Sequence, residues 1–402
     1  MSDAGRPLEG VRVLDLTNVL AGPFCCYQLA LLGAEVLKVE RPGEGDLARQ
    51  LGADPDLNRA LMGASFLAQN AGKRSLTLDL KTAEGRQILE RLLRTADVLV
   101  ENFRPGVMAR LKLAPKDLLE RHPRLIYAVI SGFGQAGPLA GRPAYDQIVQ
   151  GMSGLMSVTG TPETAPLRVG TPIADTVGGL TAAFAITSAL TRRARTGRGG
   201  LIDVSMLEAL ITTMGWVVSN WLIAGWTPAA HGNDNMTASP SGTFRTADRP
   251  INLAANQQRQ FERLCELIGR PELKDDPRFA EREARKRHRD ALTAEIEAAL
   301  VGETARHWVE RLNQAGIPAG EVLSVPEVLE HPQVVGRGLV HRFDVPWVER
   351  AVSVLSAGFR LDDHALAATC PPPALGADTE AVLEELGYGP EDIRRLREKG
   401  VI

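Results

Sequence analysis

A chain of 402 residues has room for two or three domains and for a core that needs neither disulfide nor metal to hold it. With 44% hydrophobic and 24% charged residues it has the balance of an ordinary globular protein, and a net charge of -3 leaves no basic footprint for nucleic acid. The first ten residues carry no signal-peptide apolar region, and no apolar run reaches the ~18 residues of a membrane span, so no membrane partner is expected. Cys25, Cys26, Cys265 and Cys370 fit no zinc spacing. We read them as reduced thiols of a cytoplasmic protein.

In chain order, residues 11–17 form a short buried-strand pattern. Ala21-Gly22-Pro23 turns the chain into a helix running through Tyr27 and Leu29 to Gly33, with Pro23 in its first turn. Residues 35–40 are the next strand. This strand–helix–strand unit argues for a parallel sheet with right-handed crossovers. The alternation continues with a strand over 75–80, a helix capped by Thr82, strands over 97–100 and 125–130, a helix over 143–152, a strand over 201–205 and an apolar helix over 207–221. The fold class is α/β, with a large doubly wound, Rossmann-like parallel sheet. Composition changes near Gly225: residues 231–241 are polar and loop-like, followed by a strand and amphipathic helices up to Ala315. We expect a large domain over 1–224, a smaller α+β domain over 225–325, and a segment over 326–402 that closes in two short helices.

The stretch 166–203 draws most attention. Thr171-Pro172 breaks regular structure, and apolar residues then recur at helical spacing through Val177, Leu180, Phe184 and Leu190. Arg192, Arg193 and Arg195 crowd the far end of this helix, where its dipole favours cations, and Gly197 stops it. Asp175 then reads as a carboxylate at the helix mouth, hydrogen-bonded by free amides and ionised at neutral pH. Such a group is a cap or a covalent nucleophile. The Gly178-Gly179 pair beyond it suits a tight backbone with a large ligand close by.

Ligands of open parallel sheets bind beyond the carboxyl ends of the strands. Those ends carry Asn18, Arg41, Asn102, Arg104 and Ser131. Arg41, Lys73, Arg74, Lys81, Arg104, Arg110 and Arg142 together can hold phosphates. No Gly-x-Gly-x-x-Gly, P-loop, His-Glu-x-x-His or Gly-x-Ser-x-Gly motif is present, and no Cys/His cluster supports a metal. The histidines are scattered; His122, His288 and His331 read as solvent-facing.

Several stretches together resemble the class III CoA-transferases, the family of formyl-CoA transferase and carnitine CoA-transferase. They are Leu8-Glu9-Gly10-Val11-Arg12-Val13-Leu14-Asp15, Ala21-Gly22-Pro23, Leu32-Gly33-Ala34-Glu35-Val36, Lys38-Val39-Glu40-Arg41-Pro42, Gly72-Lys73-Arg74-Ser75, Val100-Glu101-Asn102-Phe103-Arg104-Pro105-Gly106 and Leu375-Gly376 with Asp378-Thr379. The resemblance implies a large and a small domain, with the C-terminal segment returning to the large one, and two subunits interlocked as a homodimer. Asp175 matches the family's catalytic aspartate. Leu20, Ala21, Arg41, Leu78, Lys81, Asn102, Phe103, Arg104, Arg110, Arg142 and Tyr145 match its contacts to coenzyme A, which serves as a substrate in acyl-CoA form alongside a small carboxylic acid. Leu20 replaces the Gln of formyl-CoA transferase, and residues 231–241 lack that enzyme's glycine run, which speaks against formate or oxalate. The implied chemistry is an attack of Asp175 on a thioester, with oxyanion donors at residues 177–179.

Two other readings stand beside CoA transfer. An acyl-CoA racemase needs an acid–base pair across the α-carbon; Ala144-Tyr145-Asp146 stands where such enzymes resemble this chain with Gly-His-Asp, leaving Asp146 as its first candidate base. A non-catalytic CoA-binding protein is the third.

Overall fold

The computed structural model describes residues 5–348 and 350–402, which form two compact units. The first comprises the chain up to Leu155, Arg168–Ala224 and Pro332–Ile402; the second comprises Met156–Leu167 and Gly225–His331. The short piece Met156–Leu167 had no sequence signal to separate it from its neighbours.

The first unit is built on six parallel strands: β1 (Arg12–Asp15), β2 (Glu35–Glu40), β3 (Lys73–Thr77), β4 (Val98–Glu101), β5 (Ile126–Ser131) and β6 (Gly200–Ser205). Their order across the sheet is β3-β2-β1-β4-β5-β6, so the winding reverses between β1 and β4. Both faces are covered, which is why the central strands β4 and β5 read as near-continuous apolar runs. Val13, Val98, Val100, Ile126, Ala128 and Ile130 enter one core with the Ala21–Leu31 and Ile173–Thr196 helices. Leu14, Leu76, Leu99, Tyr127 and Val129 enter the other with Ile88, Leu89, Val382, Leu383, Ile393 and Leu396. Successive residues alternate faces because the side-chain period of a strand is two.

The Ala83–Leu93 helix starts as expected, with Thr82 Oγ1 accepting the Gly85 N–H at 3.0 Å. The long Ile173–Thr196 helix ends at Gly197 in the left-handed region (φ 71°). Its last turn is anchored by Arg193, whose Nη2 donates to Asp97 Oδ1 at 2.7 Å. By length and composition this helix is apolar enough to cross a membrane, although Asp175 and three arginines interrupt its sequence. Its glycine and alanine face is instead buried in the unit's core. Protein atoms fill the space beside both glycines: an added Cβ on Gly179 would lie 2.5 Å from the Ala21 carbonyl oxygen, and one on Gly178 would lie 2.9 Å from Met206 Cγ. The two glycines let helices approach, which corrects their reading as a ligand-facing pair.

Three further expectations are corrected. The apolar helix over 207–221 is two helices, Met206–Thr213 and Gly215–Ala224, bent by 77° at Met214. His122 is half-buried with Nε2 2.8 Å from Glu90 Oε1, where it satisfies a carboxylate. Lys73 and Arg74 are structural: Lys73 is buried, with Nζ 2.9 Å from Asp15 and 2.8 Å from Asn70, and Arg74 pairs with Glu385 at 2.9 Å.

The second unit has a three-stranded antiparallel sheet, β7 (Ser241–Phe244), β8 (Ile251–Ala254) and β9 (Ala319–Glu321), in that order, packed on helices Gln258–Leu267, Arg289–Leu300 and Ala305–Gln314. Residues 231–241 are a fixed loop in it. Arg285 Nε donates to the Ser239 carbonyl at 2.9 Å, and Arg289 Nη2 donates to that of Ala238 at 3.0 Å.

Candidate active site

The carboxyl ends of β1 and β4 lie side by side where the winding reverses. A reciprocal clip joins the loops that follow them: Asn18 N donates to Asn102 Oδ1 and Asn102 Nδ2 donates to the Asn18 carbonyl, both at 2.8 Å. Asn18 Oδ1 accepts the Leu47 amide at 2.9 Å, and Asp46 Oδ1 accepts that of Val19 at the same distance. Val19 is held at φ 70°, a left-handed conformation in which a β-branched residue is strained.

Beneath this turn lies a buried network of charges. Lys38 Nζ is 2.9 Å from Asp46 and donates to the Thr17 carbonyl at 2.9 Å. Asp15 pairs with Lys73 at 2.9 Å and accepts the Thr17 hydroxyl. Burial alone would raise the Asp15 carboxyl, but Lys38, Lys73 and Thr17 bring it down to about 2. Arg49 holds Glu40 through two bonds at 2.7 and 2.8 Å. Sequence reasoning passed over this network. Its signal was a charge inside a strand run, Asp15 and Lys38, or just ahead of one, Lys73, because charges buried at such positions must be paired.

Two clefts open here. One, of about 290 Å³, is lined by Leu20, Ala21, Asn102, Phe103, Arg104, Ser131, Arg142, Tyr145 and Asp175 among others. The second, of about 370 Å³, is lined by Arg41, Leu78, Lys81 and Phe103, and shares Asn18, Leu47 and Phe103 with the first. Of the eleven residues the resemblance assigns to coenzyme A, ten line one or both clefts. Arg110, at the end of the Val107–Arg110 helix, lines neither. Arg41 is exposed and pairs with Glu44 at 2.9 Å, whereas Arg104 and Arg142 have no side-chain partner among the described residues.

Asp175 departs from its expected state. The helix begins at Ile173, so Asp175 sits in its first turn and Pro172 holds the capping position without a side-chain bond. The capping carboxylate is Asp146: its Oδ1 accepts Ala174 N at 2.8 Å and Asp175 N at 3.4 Å. Ile173 N and Thr176 N go to the carbonyls of Thr171 and Pro172. The Asp175 carboxylate therefore accepts no bond among the described residues. Burial first, and the Asp146 charge second, push its pKa up to about 7, which overturns the expectation of a firmly ionised cap. The amides of residues 177–179 lie inside the helix and are not free to bind an oxyanion. Ala21 opens the Ala21–Leu31 helix, whose N-cap Leu20 offers no side-chain bond, and its amide meets no acceptor among the described residues. No group of three or more potential metal-ligating side chains occurs among the described residues.

A family model for CoA-transferase family III matches residues 8–379. The chain is 44% identical to an acetyl-CoA:oxalate CoA-transferase from Acetobacter aceti over 335 residues, 83% of this chain and 85% of that one. It is 36% identical over 401 residues to a succinyl-CoA:glutarate CoA-transferase from Mus musculus, covering 100% of this chain and 91% of the relative. A crystal structure of a CAIB/BAIF family protein from Brucella suis superposes with a TM-score of 0.83 at 36% identity, over 95% of this chain and 99% of that one. With a parallel sheet of this order and a family match over nearly its whole length, the chain belongs to CoA-transferase family III.

Proposed function

We propose that this protein moves CoA from an acyl-CoA thioester to a small carboxylic acid, with Asp175 as the covalent nucleophile. The observation that carries this reading is Asp175 itself, a half-buried carboxylate with no donor on it among the described residues, in a cleft with Leu20, Asn102, Arg104, Arg142 and Tyr145. A carboxylate whose oxygens are not engaged keeps its electrons for attack. In its ionised form Asp175 adds to the thioester carbonyl carbon, the C–S bond breaks, and CoA leaves as thiolate from a mixed anhydride. The thiolate attacks the aspartyl carbonyl, expels the donor acid and leaves an aspartyl-CoA thioester. The acceptor carboxylate repeats the sequence, gains CoA and returns Asp175. The free Ala21 amide is our candidate oxyanion donor in place of residues 177–179.

Coenzyme A would run from Asp175 past Phe103 to the cleft holding Arg41 and Lys81, with Arg104 and Arg142 as anion partners. The racemase reading loses support because its candidate base, Asp146, is committed to the helix amides and to Gln150 at 2.6 Å. The named relatives act on oxalate or glutarate, so both belong among the acids tested, oxalate despite Leu20. We take the enzyme to be an interlocked homodimer of the cytoplasm; all four cysteines are free thiols, as a reducing compartment requires.

The test is thioester exchange between acetyl- or succinyl-CoA and a panel of mono- and dicarboxylates, with parent and Asp175→Asn proteins. The parent should exchange, and quenched digests should carry acyl or CoA adducts on the Asp175 peptide. Asp175→Asn should lose at least a thousandfold in turnover while still binding CoA. Full activity in that variant would sink the mechanism.

A further inference from the structure

We propose that Asp146 is a positioning residue for Asp175: by taking the amides at the head of the Ile173–Thr196 helix, it leaves the nucleophile without donors and fixes the backbone that carries it. The inference rests on Asp175 being the nucleophile. A carboxylate in the first turn of a helix ordinarily draws on the free amides and positive dipole end there. Here the N-cap is Pro172, which has no side-chain acceptor, and Asp146 reaches across from the Asp146–Met152 helix to fill that place. Its other oxygen, Oδ2, accepts Gln150 Nε2 at 2.6 Å and lies 3.8 Å from Arg168 Nη2.

Gln150 completes the frame. Its Nε2 also donates to the Thr171 carbonyl at 3.2 Å, and its Oε1 accepts the Val169 amide at 3.0 Å. Two side chains one helical turn apart thus tie down the lead-in from Val169 to Asp175. Asp146 is 7% exposed, so its charge acts on Asp175 through a poorly screening medium.

The other charged groups around Asp175 are few. Arg104, Arg142 and Tyr145 share its cleft, and Arg168 stands beyond Asp146. The Ala21–Leu31 helix brings the buried thiols Cys25 and Cys26, while its Tyr27 packs in a separate core with its hydroxyl donating to the Leu355 carbonyl. β6 brings Asp203, bonded to the Gln135 amide at 2.9 Å, and the Met206–Thr213 helix brings Glu208, which is exposed. Burial and Asp146 account for the upward displacement of the Asp175 carboxyl. A structural cap would hold the helix and do nothing more. A positioning carboxylate also sets when Asp175 is ionised.

Carbodiimide separates the two, because it modifies protonated carboxyls and needs no turnover. Labelling of the Asp175 peptide across pH, read by mass spectrometry, should have its half-point near pH 7 in the parent. Asp146→Asn keeps the acceptor for Ala174 N and removes the charge. Its half-point should fall by at least one pH unit, about a tenfold change in the ratio of protonated to ionised carboxyl. Arg168→Gln, a change at a half-exposed side chain, should move it the other way by uncovering the Asp146 charge, and this arm stands if Asp146→Asn folds poorly. Half-points that superimpose on the parent's in both variants overturn the proposal. The nucleophile reading fails on a different result, exchange activity in Asp175→Asn.

Discussion

The Asp175 carboxyl is held in its half-buried place at a cost to stability. A carboxyl at about 7 in the folded chain and 3.8 unfolded binds its proton more tightly when folded. Below pH 3.8 both states are protonated and nothing is lost. Between 3.8 and 7 the unfolded chain releases its proton first, so stability falls as pH rises, and above 7 the loss is complete. Three pKa units correspond to at most ~4 kcal/mol, and solvent screening of a half-buried group reduces this to about 1–3 kcal/mol. Asp175→Asn should therefore melt higher than the parent at pH 8, with the gain gone below pH 4. Equal melting temperatures at both pH values would mean that Asp175 is not held against its charge. The arginines differ from one another in the same local way. Arg104 has no partner among the described residues, so Arg104→Ala should weaken CoA binding by about 1.5–3 kcal/mol in calorimetric titration. Arg41 must first leave Glu44, an exposed pair worth little, and Arg41→Ala should cost no more than Arg104→Ala. That an apolar helix starts near Asp175 was legible in the sequence. The displaced pKa of Asp175 was not, because burial and the Asp146 charge cause it, and only the fold brings a residue 29 positions upstream to the helix head.

At the scale of elements, the long helix is defined by how closely it is approached. Gly179 stands against the Ala21 carbonyl, and that contact also fixes the Ala21–Leu31 helix whose first residue lines the cleft. Gly179→Ala must push the helices apart or displace Ala21. The expected loss is about 1–3 kcal/mol in denaturant unfolding, together with impaired exchange. Gly215→Ala meets nothing within 4 Å, and helix propensity should leave it neutral or slightly stabilised. Similar losses from both would show that glycine flexibility, not close approach, is at issue. The strands, the Thr82 cap and the Gly197 stop were readable because each rests on neighbours in sequence: short apolar runs between turns, a hydroxyl three residues before an amide, a glycine after basic residues. The break at Met214 escaped because an apolar run looks the same whether it is one helix or two, and Gly215 was its only mark. The strained turn at Val19 escaped for a different reason. Valine is a poor choice for φ 70°, so the conformation is imposed by Asp46 and Asn102 from elsewhere in the chain.

For the whole molecule, the Gly215–Ala224 helix presents a problem that a single chain does not solve. It is almost wholly apolar, yet none of its residues is buried: Trp216 is 74% exposed, Leu222 74% and Ile223 85%. Single exposed apolar residues need no explanation, but a contiguous patch of this kind marks an interaction surface. Covering each large side chain would return roughly 1.5–3 kcal/mol, enough in sum to offset the entropy of association. A second copy of the chain is the occupant we propose, in keeping with the interlocked dimer that the family resemblance implies. Sedimentation at micromolar concentration should give a particle of twice the 43.4 kDa chain mass. Leu222→Glu with Ile223→Glu should shift it toward the monomer, because two carboxylates would have to be buried unpaired. Since neither residue lines the Asp175 cleft, CoA binding to the separated chain then reports whether one subunit's cleft suffices. A parent protein that sediments as a monomer would remove the dimer from this account and leave the helix to some other partner.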